Sequence, residues 1–169
     1  MRTHGGRARA AAALALVGAL AGPAVALADG DRGDRTPPPG KTQDAAYTQA
    51  VKAIDAEQFA TAIPLLEGVV DRDGRNADAY NWLAYAIRRN GDPARAIPIY
   101  LKALDLDPKH RGAHEYIGEA YLALGDVARA RQHLARLDAL CFFGCSEHRD
   151  LKKAIAGFEK AGKAPGASR

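Results

Sequence analysis

Serine is nearly missing from this chain of 169 residues: only Ser146 and Ser168 occur, and a Ser-His-Asp triad has nowhere to sit. Nucleophile elbow, phosphate loop, dinucleotide fingerprint and paired-carboxylate motif are missing as well. His114-Glu115-Tyr116-Ile117-Gly118 opens like a zinc-protease helix. Gly118 stands where the second histidine must be, so the i,i+4 pair that holds the metal is lost. These absences point to a non-enzymatic protein with no cofactor. An excess of charge is missing too. The formal net charge is +4, but Arg2, Arg7 and Arg9 lie at the extreme N-terminus, and beyond residue 28 there are 21 basic against 20 acidic residues. That balance gives no electrostatic case for nucleic acid or for an anionic membrane surface.

Uninterrupted apolar sequence is confined to the start. Three arginines precede an uncharged Ala/Leu run over 10–20, and Ala26-Leu27-Ala28 offers small residues where a signal peptidase requires them. Residues 1–28 are therefore expected to be a secretory signal peptide cut after Ala28. The run is short, carries Gly18, Gly22 and Pro23, and lacks a stop-transfer pattern, which argues against a membrane anchor persisting after cleavage. No adjacent arginine pair marks twin-arginine export. Residues 29–41, DGDRGDRTPPPGK, hold no hydrophobic side chain; they cannot offset their ordering entropy by burial and read as a disordered linker.

Helical periodicity fills the rest. In 77–110, Tyr80, Leu83, Ala84 and Ile87 form one apolar stripe and Ala96, Tyr100, Ala103 and Leu104 another. Asn90-Gly91-Asp92-Pro93 separates them: Gly91 can take positive φ, Asp92 is a good N-cap, and Pro93 suits the first helical position. Asp107-Pro108 ends the second stripe. The segment resembles a tetratricopeptide repeat, with Tyr80, Leu83, Ala84, Ile87, Ala96, Tyr100 and Pro108 where the family's W-x2-L-G-x2-Y…A-x3-F…P signature falls. A shift of one period, about 34 residues, finds a downstream copy over 111–144 with His114, Ile117, Gly118, Tyr121, Gly125-Asp126, Ala130, Leu134 and Leu137. A weaker upstream copy covers 43–76, where Ala62-Ile63-Pro64 anticipates Ala96-Ile97-Pro98 but Glu57-Gln58 replaces Gly-Asp. Pro64 and Pro98 should distort their helices mildly without breaking them. Ala60, Ala62, Ala84, Ala96, Ala103 and Gly118 are small where helices must approach, and Leu66, Tyr100 and Leu134 fill the gaps between pairs.

After the third copy, Ser146 can N-cap an amphipathic helix over about 147–161, with Leu151, Ile155 and Phe158 on its apolar stripe. It should cap the open end of the solenoid, leaving 162–169 as a disordered tail. The expected fold is thus an all-α solenoid of three helix-turn-helix pairs plus a capping helix, within a domain spanning 42–161.

Cys141-Phe142-Phe143-Gly144-Cys145 joins the third repeat to the cap, and His148 follows. Three readings stand: a disulfide favoured by export, two buried thiols, or a metal or redox site of Cys141, Cys145 and His148. Phe142 and Phe143 are expected as core wedges beneath the last helix.

In tetratricopeptide proteins the first helices line a concave groove. The resemblance places Tyr47, Val51 and Ile54, then Asn81, Tyr85 and Arg88, then Glu115, Glu119 and Leu122 along it. Glu115 and Glu119 could pair with Arg149 and Lys153 of the cap. Family members that clamp a chaperone's C-terminal carboxylate place Lys, Arg and Asn where this sequence has Tyr47, Val51, Trp82, Gly112 and Tyr116, so that mode is not expected. The resemblance implies protein–protein interaction, with an apolar segment of a partner protein or peptide in the groove. The expected location is the periplasm of a Gram-negative bacterium; the alternative is a metal-handling or thiol-redox accessory protein using Cys141, Cys145 and His148.

Overall fold

The computed structural model describes residues 44–162, all of it helix and short connections. The expected signal peptide, the linker and residues 163–169 lie outside the described residues. Seven helices follow one another: α1 (Ala45–Asp55), α2 (Phe59–Arg72), α3 (Ala77–Arg89), α4 (Pro93–Leu106), α5 (Arg111–Ala123), α6 (Val127–Leu140) and α7 (Ser146–Gly162). They form the three pairs and cap that the periodicity demands.

The starts are set by short polar side chains that satisfy otherwise unpaired helix N–H groups. Asp44 Oδ1 accepts from the Ala46 and Tyr47 N–H groups. Asn76 accepts from Ala79, Asp92 from Arg95 and Asp126 from Arg129. His110 does the same for α5: its Nδ1 accepts from Ala113 N–H at 3.1 Å. That fixes the tautomer, so Nε2–H donates to Asp78 of α3 at 3.1 Å.

The turn inside each pair is one motif used three times. After α3, Asp92 N–H bonds back to Ile87 C=O while Gly91 holds φ +100°. After α5, Asp126 N–H bonds to Tyr121 C=O with Gly125 at φ +80°. After α1, Gln58 N–H bonds to Ala53 C=O, and Glu57 sits at φ 56°. The loss of Gly-Asp from the first repeat therefore leaves the turn intact and places a side chain where glycine is preferred. Pro64 and Pro98 are carried inside α2 and α4 without a break.

The first helices draw together. Within each pair the helices pack side by side, and each second helix touches the first helix of the next pair. In addition α3 contacts both α1 and α5, whereas among the described residues α2, α4 and α6 do not contact one another. Helices that converge on one side and splay on the other form an arc, with α1, α3 and α5 on the concave side. The core runs between the layers through Ala50, Leu66, Ala84, Ile87, Tyr100, Ile117 and Leu137, all essentially without solvent contact. Ala62, Ala96 and Ala103 are fully buried, as their size suggested, but Ala60 is exposed: it lies on the solvent side of α2.

The cap closes the third pair through α5. A Cβ added to Gly118 would lie 2.6 Å from one Leu151 methyl and 2.8 Å from the other. The missing side chain is the space Leu151 fills, and Leu151 is completely buried. Ser146 departs from expectation. It is the first helical residue of α7, and its hydroxyl donates to the Glu147 carboxylate at 3.1 Å. Cys145 holds the capping position, its C=O accepting from Arg149 N–H.

Candidate functional site

The concave wall carries an aromatic cluster at its centre. Tyr85 of α3 meets Trp82 of the same helix at 5.5 Å between ring centroids, Phe59 of α2 at 6.1 Å and Tyr116 of α5 at 4.8 Å. All four rings are half-buried, as is Tyr47 of α1. Such rings combine an apolar body with a polar tip, which suits a surface that is covered part of the time.

Two arginines brace the cluster. Arg89 donates to the Tyr85 hydroxyl at 2.7 Å and lies over the Phe59 ring at 4.7 Å. Arg88 lies 5.3 Å from the Tyr85 ring and 5.8 Å from that of Tyr116, and it pairs with Glu119 of α5 at 2.8 Å. Burial works against the Arg88 charge, but Tyr100, Glu119 and Tyr85 more than offset it, so the guanidinium stays protonated. Beneath it the enclosed Tyr100 hydroxyl lies against Arg88, and among the described residues neither it nor Arg88 Nε meets a partner in full hydrogen-bond geometry. Beyond Arg88, Glu119, Leu122, Ala154 and Phe158 frame a pocket of about 440 Å³ where α5 meets the cap.

Of the nine positions expected to line the groove, Tyr47, Val51, Tyr85, Arg88 and Glu119 are half-buried. Ile54 and Leu122 retain only 6% and 5% of their exposure; they belong to the core beneath the groove, although Leu122 still forms part of the pocket floor. Asn81 and Glu115 are also buried, at 4% and 9% exposure. The suggested pairing of Glu115 and Glu119 with Arg149 and Lys153 does not occur. Glu119 takes Arg88 from the preceding repeat, across the α3–α5 contact. Burial, reinforced by Glu119, Asp150 and Glu147, pushes the Glu115 carboxyl up from 4.5 to about 7; Arg88 acts in the opposite sense. Trp82 and Tyr116 stand at the family's clamp positions but were not among the nine lining residues expected, and Phe59 was not expected at the groove at all. Trp82 and Tyr116 occupy equivalent positions one period apart, which was the available signal; Phe59 joins from an outer helix, which no register reveals.

The linker to the cap behaves differently from expectation. Phe142 and Phe143 are 92% and 98% exposed, so they are not core wedges. The loop closes on itself: Gly144 N–H donates to Cys141 C=O, Gly144 takes φ +81°, and Cys141 and Cys145 are paired with Cα atoms 5.6 Å apart. A turn this tight turns the two rings outward. In this pairing neither sulfur is a thiolate, and His148 Nε2 faces Asp138 at 3.6 Å. Among the described residues no group of three His, Cys, Asp or Glu side chains is placed to hold a metal ion, and no helix is long and apolar enough to cross a membrane.

The repeated turn and the arc agree with comparisons to known proteins. The sequence profile of the tetratricopeptide repeat matches residues 47–111 and 88–141, together more than half of the chain. The chain belongs to the tetratricopeptide repeat family. No curated protein matches it in sequence. Among solved structures it is similar to MamA from Desulfovibrio magneticus RS-1, with TM-score 0.55 and 27% identity over 56% of this chain and 54% of that one. The chain thus spans about half the length of the MamA structures it matches. The Yersinia enterocolitica type III secretion translocator chaperone SycD aligns with TM-score 0.59 and 18% identity, over 69% of this chain and 87% of that one. The first tetratricopeptide domain of Spaghetti (RPAP3), bound to an HSP90 peptide, aligns with TM-score 0.60 and 20% identity over 68% and 90%. At those identities the last two likenesses establish the fold alone.

Proposed function

We propose that this protein is a non-enzymatic interaction module that binds a segment of a partner protein on its concave face, in the exported compartment of a Gram-negative bacterium. The observation that carries this is the half-buried cluster of Phe59, Trp82, Tyr85 and Tyr116, held in place by Arg88 and Arg89 on the side of the arc where the first helices converge. A rigid aromatic wall gives contact area at small entropic cost. A tetratricopeptide neighbour that holds a peptide supports the mode. That peptide ends in an acidic carboxylate segment, whereas Tyr47, Val51, Trp82, Gly112 and Tyr116 supply no cationic clamp here.

The N-terminal pattern supports export with cleavage after Ala28, and the Cys141–Cys145 pairing accords with an oxidising compartment. In vivo cross-linking followed by partner identification tests the groove. Tyr85→Ala and Arg88→Ala each reduce capture of the partner; an unchanged set of captured proteins refutes the reading. Mass measurement of the exported chain before and after reduction and alkylation tests the cysteine pairing, and free thiols in the exported protein would overturn it.

A further inference from the structure

The Cys141–Cys145 disulfide contributes little to the fold. Three residues stand between the cysteines, and the stabilisation a cross-link gives falls as the loop it closes shortens. The cap does not depend on it: α7 packs on both α5 and α6, and Leu151 fills the space left by Gly118. The same loop exposes a large apolar surface. Phe142 and Phe143, 92% and 98% exposed, meet each other edge to face at 5.4 Å and leave the rest of both rings to water. Surface of that kind is unfavourable unless something covers it.

The two cysteines are not equivalent. Cys141, at the end of α6, keeps part of its surface in solvent; Cys145 is 8% exposed and stands at the capping position of α7. That helix is 17 residues long. The positive end of its dipole and its first unpaired N–H groups favour a thiolate at Cys145. Glu147 is the acid of the first turn, and it is engaged by the Ser146 hydroxyl and faced by Arg111 at 3.6 Å. His148 faces Asp138. In thiol–disulfide exchange an incoming thiolate attacks the sulfur it can reach, and the rate rises as the pKa of the leaving thiol falls. Exposure makes Cys141 the point of attack, and the helix end makes Cys145 the leaving group.

We propose that Cys141–Cys145 is a thiol–disulfide exchange site, which passes its disulfide to a pair of cysteines in an extended polypeptide whose apolar neighbours cover Phe142 and Phe143. One substrate thiolate attacks Cys141 Sγ; the Cys141–Cys145 bond breaks, a mixed disulfide forms, and Cys145 leaves as the thiolate. The second substrate thiolate attacks the substrate sulfur of that mixed disulfide, and Cys141 leaves. Two electrons pass from the substrate dithiol to the protein disulfide, and the two thiol protons end, through solvent, on Cys141 and Cys145. One substrate disulfide forms per chain, with no other oxidant. This rests on the cysteine pairing and is independent of the concave face.

The test starts from the exported chain, oxidised, with its disulfide verified by mass. The probes are short reduced peptides that each carry a pair of cysteines, flanked by leucines in one and by serines in the other. Acid quenching, alkylation and mass measurement follow the transfer. The chain converts one equivalent of the leucine peptide to its disulfide, about tenfold faster than the serine peptide, the gain from covering apolar side chains on the two rings. In the double variant Phe142→Ser/Phe143→Ser that ratio falls to near one. Cys145→Ala, incubated with oxidised glutathione, holds glutathione as a stable mixed disulfide on Cys141; Cys141→Ala forms its adduct about tenfold more slowly, because Cys145 is shielded. A protein disulfide that persists under about a hundredfold excess of reduced peptide is a structural one and overturns the proposal. A leucine-to-serine ratio indifferent to the phenylalanine substitutions, or an adduct that forms faster on Cys145, overturns it as well. The two levels separate. A chain that forms no intramolecular disulfide removes the pairing itself, whereas a disulfide that forms and never transfers leaves the pairing standing and removes the exchange.

Discussion

The seat of the capping helix can be tested through one contact. A methyl group placed on Gly118 would sit 2.6 and 2.8 Å from the Leu151 methyls and 3.3 Å from its Cγ. Leu151 is fully buried, so it has no free direction in which to withdraw. Overpacking of this kind costs about 1–3 kcal/mol, while replacing a mid-helix glycine by alanine returns about 1 kcal/mol of helix propensity. Gly118→Ala alone is therefore expected to destabilise by about 1 kcal/mol, taking ~2 kcal/mol for the overlap. Leu151→Ala removes a buried leucine and should cost about 3 kcal/mol. Independent sites would sum to about 4 kcal/mol. In the double variant the added methyl enters the space the leucine leaves, the overlap vanishes and the propensity gain remains, so the loss should fall to about 2 kcal/mol. The coupling of ~2 kcal/mol is well outside the scatter for distant pairs. Urea denaturation of the four proteins, followed by far-UV circular dichroism and Trp82 fluorescence, measures it. An additive double variant, or a Gly118→Ala that is stabilised by the full propensity gain, would show that α7 does not rest on Gly118.

Three further outcomes follow from other parts of the fold. Glu57 occupies the left-handed region at φ 56° where Gly91 and Gly125 stand in the other repeats, so Glu57→Gly should stabilise the chain. The gain is about 0.5–1 kcal/mol, since the exposed pair with Arg89 at 3.4 Å offsets little; a lower thermal midpoint would refute the turn assignment. His114 Nε2–H donates to Pro108 C=O, which leaves its Nδ1 to accept from His133 Nδ1–H at 3.0 Å, and the His114 ring must be neutral for this. Burial, with His114 and Arg136 beside it, pulls His133 down from 6.5 to about 4, so the unfolded chain binds more protons across that window. The His133 contribution is complete above pH 6.5 and is lost as pH falls towards 4. His133→Gln should flatten that part of the thermal-stability profile, and an unaltered acid limb would exclude the pair as its source. Phe142 and Phe143 are almost wholly exposed, so Phe142→Ser and Phe143→Ser should each change stability by less than about 0.5 kcal/mol in chemical denaturation. A loss of about 3 kcal/mol would mean that the rings pack inward after all.

Much of the architecture was legible because one period repeats. Gly91 and Gly125, the caps at Asp92 and Asp126, and the small residues at Ala50, Ala84 and Gly118 recur at equivalent positions, and local chemistry is enough to build each turn and each close approach. The sequence departs from the pattern at Glu57-Gln58, yet Gln58 N–H still bonds to Ala53 C=O and the turn keeps its backbone geometry. The site was legible only by position. Register placed Asn81, Tyr85, Arg88, Glu115 and Glu119 on one side of the first helices. It could not say which would be solvent-facing, nor that Arg88 would take Glu119 rather than leave it to the cap.

What the sequence determined by itself is what depends on nearest neighbours along the chain: helix limits, turn type, the number of pairs and the apolar stripe of the cap. What only the tertiary structure decided depends on distances between helices in different repeats. The convergence of α1, α3 and α5 buried Ile54 and Leu122 and drew Phe59, Trp82 and Tyr116 into one cluster. The closed Cys141–Cys145 loop turned two phenylalanines to solvent that hydrophobicity alone would bury. Those separations are fixed by the packing of whole layers rather than by any single stretch of residues.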